Sequence, residues 1–263
     1  MWTQWLDETA SLAREAGAAV RARFTDAKVL KDKGGGENPL TEADLASNEI
    51  LHNGLRALVP EAGWLSEETA DTPERLGRRL CWIVDPLDGT KEFTLGIPEF
   101  VVSIALVEDG VARLGVLYNP IRDQLFTGLV DGPRSIARLN GAPVRVTGHD
   151  TLAGARVVCS RTEMQKGWFE PYRPYGLQPE PVGSVAYKFG MVAAGLAEAS
   201  FTPQPRHEWD IAGGVALVEA AGGRTSDRHG RPFVFNAPKP LVDGVVATNG
   251  PLHEALRGII GQG

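Results

Sequence analysis

The chain has 263 residues, 43% of them apolar and 23% charged, which describes a folded globular protein with a sizeable core and excludes a disordered one. Its 33 acidic against 27 basic residues give a formal charge of −6 with no basic block, so a nucleic-acid polymer is not an expected partner. No apolar run reaches the roughly 18 residues of a membrane helix, no basic-then-apolar leader opens the chain, and Cys81 and Cys159 lie far apart; a cytoplasmic protein without a zinc site or disulfide framework is expected.

Residues 3–24 carry Trp5, Leu12, Ala16 and Val20 at helical spacing, which predicts an amphipathic helix. KDKGGGENPL, residues 31–40, predicts a polar glycine-rich loop. A helix from Thr41 to Leu58 follows, opened by Thr41 or Asn38 and closed by Pro60. GWLSEETAD predicts a short strand and a turn, and residues 80–84 a buried strand. Residues 100–120 read as two strands joined at Glu108-Asp109-Gly110, a hairpin signal. QLFTGLV and PVRVT suggest further strands. Beyond Ala153 the pattern alternates: a strand at ARVVCS, helices over 184–197, 209–221 and 250–260, and short strands at ASFTP, GRTS and DGVVATN. An α/β protein of two stacked layers, with halves 1–150 and 151–263, is the expected organisation.

The stretch WIVDPLDGTKEF, residues 82–93, sets two carboxylates at the tip of an apolar strand and follows them with a glycine and a hydroxyl. Asp-Pro and Asp-Gly are turn formers, and a plain turn is the simplest reading of the segment alone. Other acidic residues argue for more. Glu67 lies in SEET, Asp210 opens a helix in EWDIAGG, and Asp44 is expected on the exposed side of the second helix. Singly these read as a solvated loop, a helix cap and a surface charge. Together Asp44, Glu67, Asp85, Asp88 and Asp210 form an oxygen-only donor set that suits Mg²⁺, with Mn²⁺ as a substitute. The carbonyl of Leu87 adds a further ligand. Two ions about 3.5–4 Å apart would clamp the attacking and leaving oxygens of a displacement at phosphorus. Gly89 permits close backbone approach, and its N–H with that of Thr90 would bind a phosphate oxygen. An EF-hand is excluded, because counting from Asp85 its third position is Leu87 and its twelfth Gly96. The covalent aspartyl phosphatases separate their two aspartates by one residue, not two.

These motifs are similar to those of the lithium-sensitive, magnesium-dependent phosphatases of the inositol monophosphatase superfamily. Asp44, Glu67-Glu68, the run from Asp85 to Thr90, and Trp209-Asp210 occur in that family's order over nearly the whole chain. The resemblance implies a layered αβαβα sandwich, a homodimer, and two or three Mg²⁺ ions. It implies that Glu67, Asp85 and the Leu87 carbonyl hold the first ion, and Asp85, Asp88 and Asp210 the second. Glu67 and Thr90 would orient and deprotonate water, and Asp44 would help hold a third, looser ion near residues 31–40. Lys91-Glu92-Phe93 resembles the 3′(2′),5′-bisphosphate nucleotidase branch, the CysQ type. So does GSVAYK, where Ser184 and Lys188 would grip phosphate, although Lys188 also reads as a helix-surface lysine. CSRTE resembles a segment lying along a nucleoside, with Arg161 as the contact. The implied substrate is a small phosphorylated metabolite, adenosine 3′,5′-bisphosphate cleaved to AMP. Inositol monophosphate and histidinol phosphate are the alternatives. A non-catalytic binding scaffold is the competing class, and the intact set Glu67, Asp85, Asp88, Thr90 and Asp210 argues against it.

Overall fold

The computed structural model describes residues 1–26, 28–32 and 39–260. Most of the predicted glycine-rich loop, and Asn38 as a helix opener, lie outside the described residues. Helix α1 (Trp2–Arg21) leads to a small antiparallel pair, β1 (Val29–Asp32) and β2 (Pro39–Thr41), and then to α2 (Glu42–Leu58). The first large sheet follows in chain order: β3 (Gly63–Ser66), β4 (Leu80–Asp88), the short α3 (Thr90–Thr94), β5 (Val101–Glu108), β6 (Val111–Asn119), β7 (Gln124–Leu129), β8 (Ile136–Leu139) and β9 (Ala142–Pro143). Only β3 runs parallel to its neighbour β4.

The later half contributes β10 (Arg156–Cys159), α4 (Arg161–Gln165), β11 (Gln178–Pro181), α5 (Val185–Ala193), β12 (Ala199–Thr202), β13 (Arg206–His207), α6 (Glu208–Ala220), β14 (Arg224–Ser226), β15 (Leu241–Val242), β16 (Val245–Thr248) and α7 (His253–Ile260). Its main sheet has the order β11-β10-β12-β16-β14, and β13 pairs with β15 apart from it.

The strand side chains explain the layering. Along β4, Leu80, Trp82 and Val84 pack into a core with Leu6 and Val20 of α1 and Leu51 and Leu55 of α2. The alternate residues Cys81 and Ile83 face a second core with Phe189 of α5 and Val215 of α6. That core reaches the second sheet through Val158 and Val245, whose neighbours Val157 and Val246 point to a third core with Leu252 and Leu256. Period-two alternation with both faces apolar therefore builds the expected αβαβα stack. Gly115 of β6 lets α6 lie against the sheet, since a Cβ there would come within 2.2 Å of the Gly213 carbonyl oxygen.

Three details differ from expectation. The strand predicted over 80–84 continues to Asp88. Of PVRVT only Pro143 is in a strand. Strands β1, β2, β8, β11, β13 and β15 were not foreseen, and β11 carries two prolines at the sheet edge, where a missing N–H is tolerated. Both cysteines are buried free thiols, which burial pushes up to about 12. No described helix is long and apolar enough to cross a membrane.

His253 is fully buried between the hydroxyls of Ser226, 3.0 Å from Nε2, and Thr248, 3.1 Å from Nδ1. Burial, with Arg224 nearby, lowers its pKa from 6.5 to about 4. Below pH 6.5 the unfolded chain takes up a proton that the folded chain refuses, so stability is lost as pH falls from about 6.5 towards 4. Melting temperatures across that range should fall more steeply for the native protein than for His253→Gln. Parallel slopes would refute this.

Candidate active site

The spacing of Asp85 and Asp88 is set by a bulge. Asp85 pairs with Ser103 and Asp88 with Val101, so β4 spends one more residue than β5 between the two pairings. A regular strand would turn residues 85 and 87 to one face and 88 to the other. The extra residue reverses this: Leu87 joins the α1/α2 core, and Asp85 and Asp88 both line the same cleft. Pro86 occupies the irregular position, and its carbonyl accepts a 2.8 Å bond from Ser47 Oγ of α2. Asp85 Oδ1 accepts from the Leu87 N–H at 2.9 Å. Gly89 then takes φ +100°, and a Cβ there would meet the Glu99 carbonyl oxygen at 2.9 Å, so the turn into α3 requires glycine.

Asp44 departs from its expected place. It is 1% exposed, not a surface charge, because the first turn of α2 faces inward at the bulge. It is the third helical residue of a capping box whose N-cap is Thr41. Its Oδ2 accepts from Thr41 N at 2.8 Å and Thr41 Oγ1 at 2.5 Å, and its Oδ1 accepts from Thr90 Oγ1 at 3.1 Å. Thr90 Oγ1 also lies 2.9 Å from the Leu87 carbonyl oxygen. One hydroxyl proton serves these two acceptors in turn. Burial raises the Asp44 pKa, and Glu67 adds to the effect.

The later half closes the site. Asp210 sits at the start of α6, where its Oδ2 accepts from His207 N at 3.0 Å. Asp88 Oδ2 accepts from Ser184 Oγ and, at 2.6 Å, from Ala186 N, which ties β4 to the start of α5. Ser184 holds φ +60°, an uncommon conformation for a residue with a side chain. Lys188 is 6% exposed and faces the cleft, with Nζ 3.4 Å from the Val182 carbonyl oxygen. Its reading as a helix-surface lysine therefore fails: α5 is packed between the sheets and has no solvated face at this position.

The carboxylates repel one another. Asp85 is held well above the usual carboxylate range by burial and by Glu67, Asp88 and Asp210. Burial pushes Asp88 to about 6 against the hydrogen bonds from Ser184 and Ala186. Asp210 is pushed up to about 8 by burial, Asp88 and Glu67. Among the described residues no three acidic, histidine or cysteine side chains already form a closed metal cage. Even so, Glu67, Asp85, Asp88 and Asp210 line one cleft with only oxygen donors, and their uncompensated charge is what a hard dication would neutralise. The residues present fit Mg²⁺.

The cleft has a volume of about 520 Å³. Of the residues anticipated, Glu67, Asp85, Leu87, Asp88, Gly89, Thr90, Lys91, Ser184, Lys188 and Asp210 line it. Asp44 lies one hydrogen bond behind it, through Thr90. Arg161 does not line it. Its guanidinium is ion-paired with Glu99 at 2.6 Å and with Glu92, a residue of the cleft wall, at 3.7 Å. Sequence reasoning missed Arg206, Lys166, Trp168 and the His207–Trp209 stack, whose rings lie 4.3 Å apart at 4°. Arg206 stands four residues before Asp210, and that nearness to a recognised carboxylate was the available signal.

A five-layer sandwich that gathers carboxylates from both halves of the chain, with lysines on the same walls, defines a phosphatase. The chain belongs to the inositol monophosphatase family, whose profile matches residues 1–261. It is 33% identical to inositol monophosphatase 3 of Solanum lycopersicum over 96% of this chain and 95% of the relative. It is 35% identical to the 3′(2′),5′-bisphosphate nucleotidase CysQ of Escherichia coli O157:H7, over 88% and 93%. Among solved structures, the Thermotoga maritima IMPase superposes with a TM-score of 0.85 at 26% identity, covering 98% of this chain and 96% of that one. The inositol monophosphatase from Anabaena does so at 0.83 and 26%, covering 99% and 96%. The family is generally Mg²⁺-dependent.

Proposed function

We propose that this phosphatase removes the 3′-phosphate of adenosine 3′,5′-bisphosphate to give AMP. The observation that carries the reading is cationic: Lys91, Lys166, Lys188 and Arg206 line the same cleft as the carboxylates. A substrate with two phosphates needs cations beyond the metals, since a net-acidic protein repels the second phosphate. A monophosphorylated polyol has no such need.

Glu67, Asp85, the Leu87 carbonyl, Asp88 and Asp210 would hold two Mg²⁺ ions, with a third near Asp44 as the family resemblance implies and Mn²⁺ as a substitute. When bound, Mg²⁺ supplies charge to stabilise the phosphoryl oxygens and the leaving oxygen. Gly89 and Thr90 hold the scissile phosphate at the start of α3. Glu67 and Thr90 orient the attacking water. Thr90 Oγ1 accepts the water proton as its own passes to Asp44, whose raised pKa equips it to receive a proton. Ser184 keeps Asp88 in place, and Lys188 and Lys91 face the substrate. The halves 1–150 and 151–263 act as one catalytic unit. A homodimer and a cytoplasmic location belong to the same proposal.

The test is kcat/KM for the bisphosphate against inositol 1-phosphate on one preparation. The bisphosphate should be preferred, and Lys188→Met, which keeps the buried stem's volume, should raise its KM roughly 10–150-fold, the cost of one charge-assisted hydrogen bond. A monophosphate should be affected much less. Preference for inositol 1-phosphate would defeat the nucleotidase reading and leave the family assignment intact.

A further inference from the structure

A second cavity of about 610 Å³ adjoins the catalytic cleft, and the two share Trp168 and Gln204. Its size lies within the range of small-molecule sites, about 300–1,000 Å³. Its walls include Tyr172, Pro203, Arg228 and His229. Trp168, on the dividing wall, is 37% exposed, and among the described residues no other aromatic ring packs on it. The Lys166 ammonium lies 5.3 Å from its ring centroid.

We propose that Trp168 is a specificity-determining platform on which the substrate's nucleobase stacks, with the base in this second cavity and both phosphates in the first. This rests on the nucleotidase reading and extends it to a named residue. Charge distribution separates the two ends. The cations of the catalytic cleft include Lys91, Lys166 and Lys188, for which no carboxylate among the described residues lies within ion-pairing distance. In the second cavity the basic groups are already committed: Arg228 lies 3.1 Å and His229 2.9 Å from the same Asp243 oxygen, Oδ2. That end is aromatic, proline-lined and charge-balanced, which suits a neutral heterocycle and not a phosphate. A base has a π-face for the indole, and Gln204 at the junction offers both an amide donor and an amide acceptor. A polyol presents neither requirement.

The test separates base recognition from turnover. Affinities for AMP and for ribose 5-phosphate, which lacks the base, are measured by calorimetry on the Mg²⁺-loaded protein. The native protein should prefer AMP by roughly 5- to 150-fold, the range of one base–aromatic stack. In Trp168→Ala the ratio should fall close to one, and Trp168→Phe should restore part of it. Equal affinities in the native protein, or a preference that survives Trp168→Ala, would overturn the proposal. Base-dependent binding alongside better hydrolysis of inositol 1-phosphate would instead count against the nucleotidase reading alone.

Discussion

Asp88→Asn is expected to abolish Mg²⁺-dependent phosphate release while leaving the protein folded. The fold should survive because the asparagine amide oxygen can still accept from Ser184 Oγ and Ala186 N, the two bonds that tie β4 to α5. Turnover should not survive, because the charge needed to hold a dication has gone. A stability measurement separates this from general damage. In the metal-free native protein Asp88 is pushed up to about 6 by burial, so its ionisation opposes folding. The sign follows: the folded state holds the proton more tightly, so stability falls as pH rises from the ordinary carboxylate value of 3.8 through about 6. At pH 8 without metal, Asp88→Asn should therefore melt above the native protein. Added Mg²⁺ should raise the native melting temperature and reverse the order. EDTA should silence the native enzyme and Mg²⁺ restore it. Full activity of metal-free Asp88→Asn would sink the metal-ligand role.

Thr90→Ala should lower kcat by about 10²–10⁴-fold, the usual cost of losing positioned proton transfer, with a much smaller change in KM. The hydroxyl stands between the Asp44 carboxylate and the Leu87 carbonyl, so its removal breaks the route from water to Asp44 without opening the core. Thr90→Ser retains the oxygen and should recover most of the rate. With water as the proposed nucleophile, no phosphorylated side chain should accumulate. Trapping one during turnover would show the mechanism to be wrong.

The features legible in the sequence were those written in local chemistry. The residue pattern alone gave two stacked α/β layers, the αβαβα order being what the family motifs implied, and the hairpin at Asp109-Gly110 follows from two residues that accept φ of 48° and 81°. The carboxylates Asp85 and Asp88 stood out because apolar residues precede them. What stayed hidden depended on long-range contact. The bulge could not be read from β4 alone, since it exists only in register with β5. Asp44 looked like a surface charge because its burial comes from β4 and Thr90, some forty residues away. Arg161 looked free because Glu99 and Glu92, which claim it, belong to a segment more than sixty residues earlier. Strand β11 was missed because Pro179 and Pro181 contradict strand propensity, and an edge position excuses them.

The capping boxes that open α2 and α6 give two residues a double allegiance. Asp44 and Asp210 each close the first turn of a helix; Asp210 also lines the carboxylate cleft, and Asp44 lies one hydrogen bond behind it. A substitution chosen to strengthen either helix end would be judged twice, once by the melting curve and once by the rate. Directed evolution for heat resistance would therefore meet a conflict at these positions. The protein's freedom to become sturdier is narrowest where its helices begin at the catalytic centre.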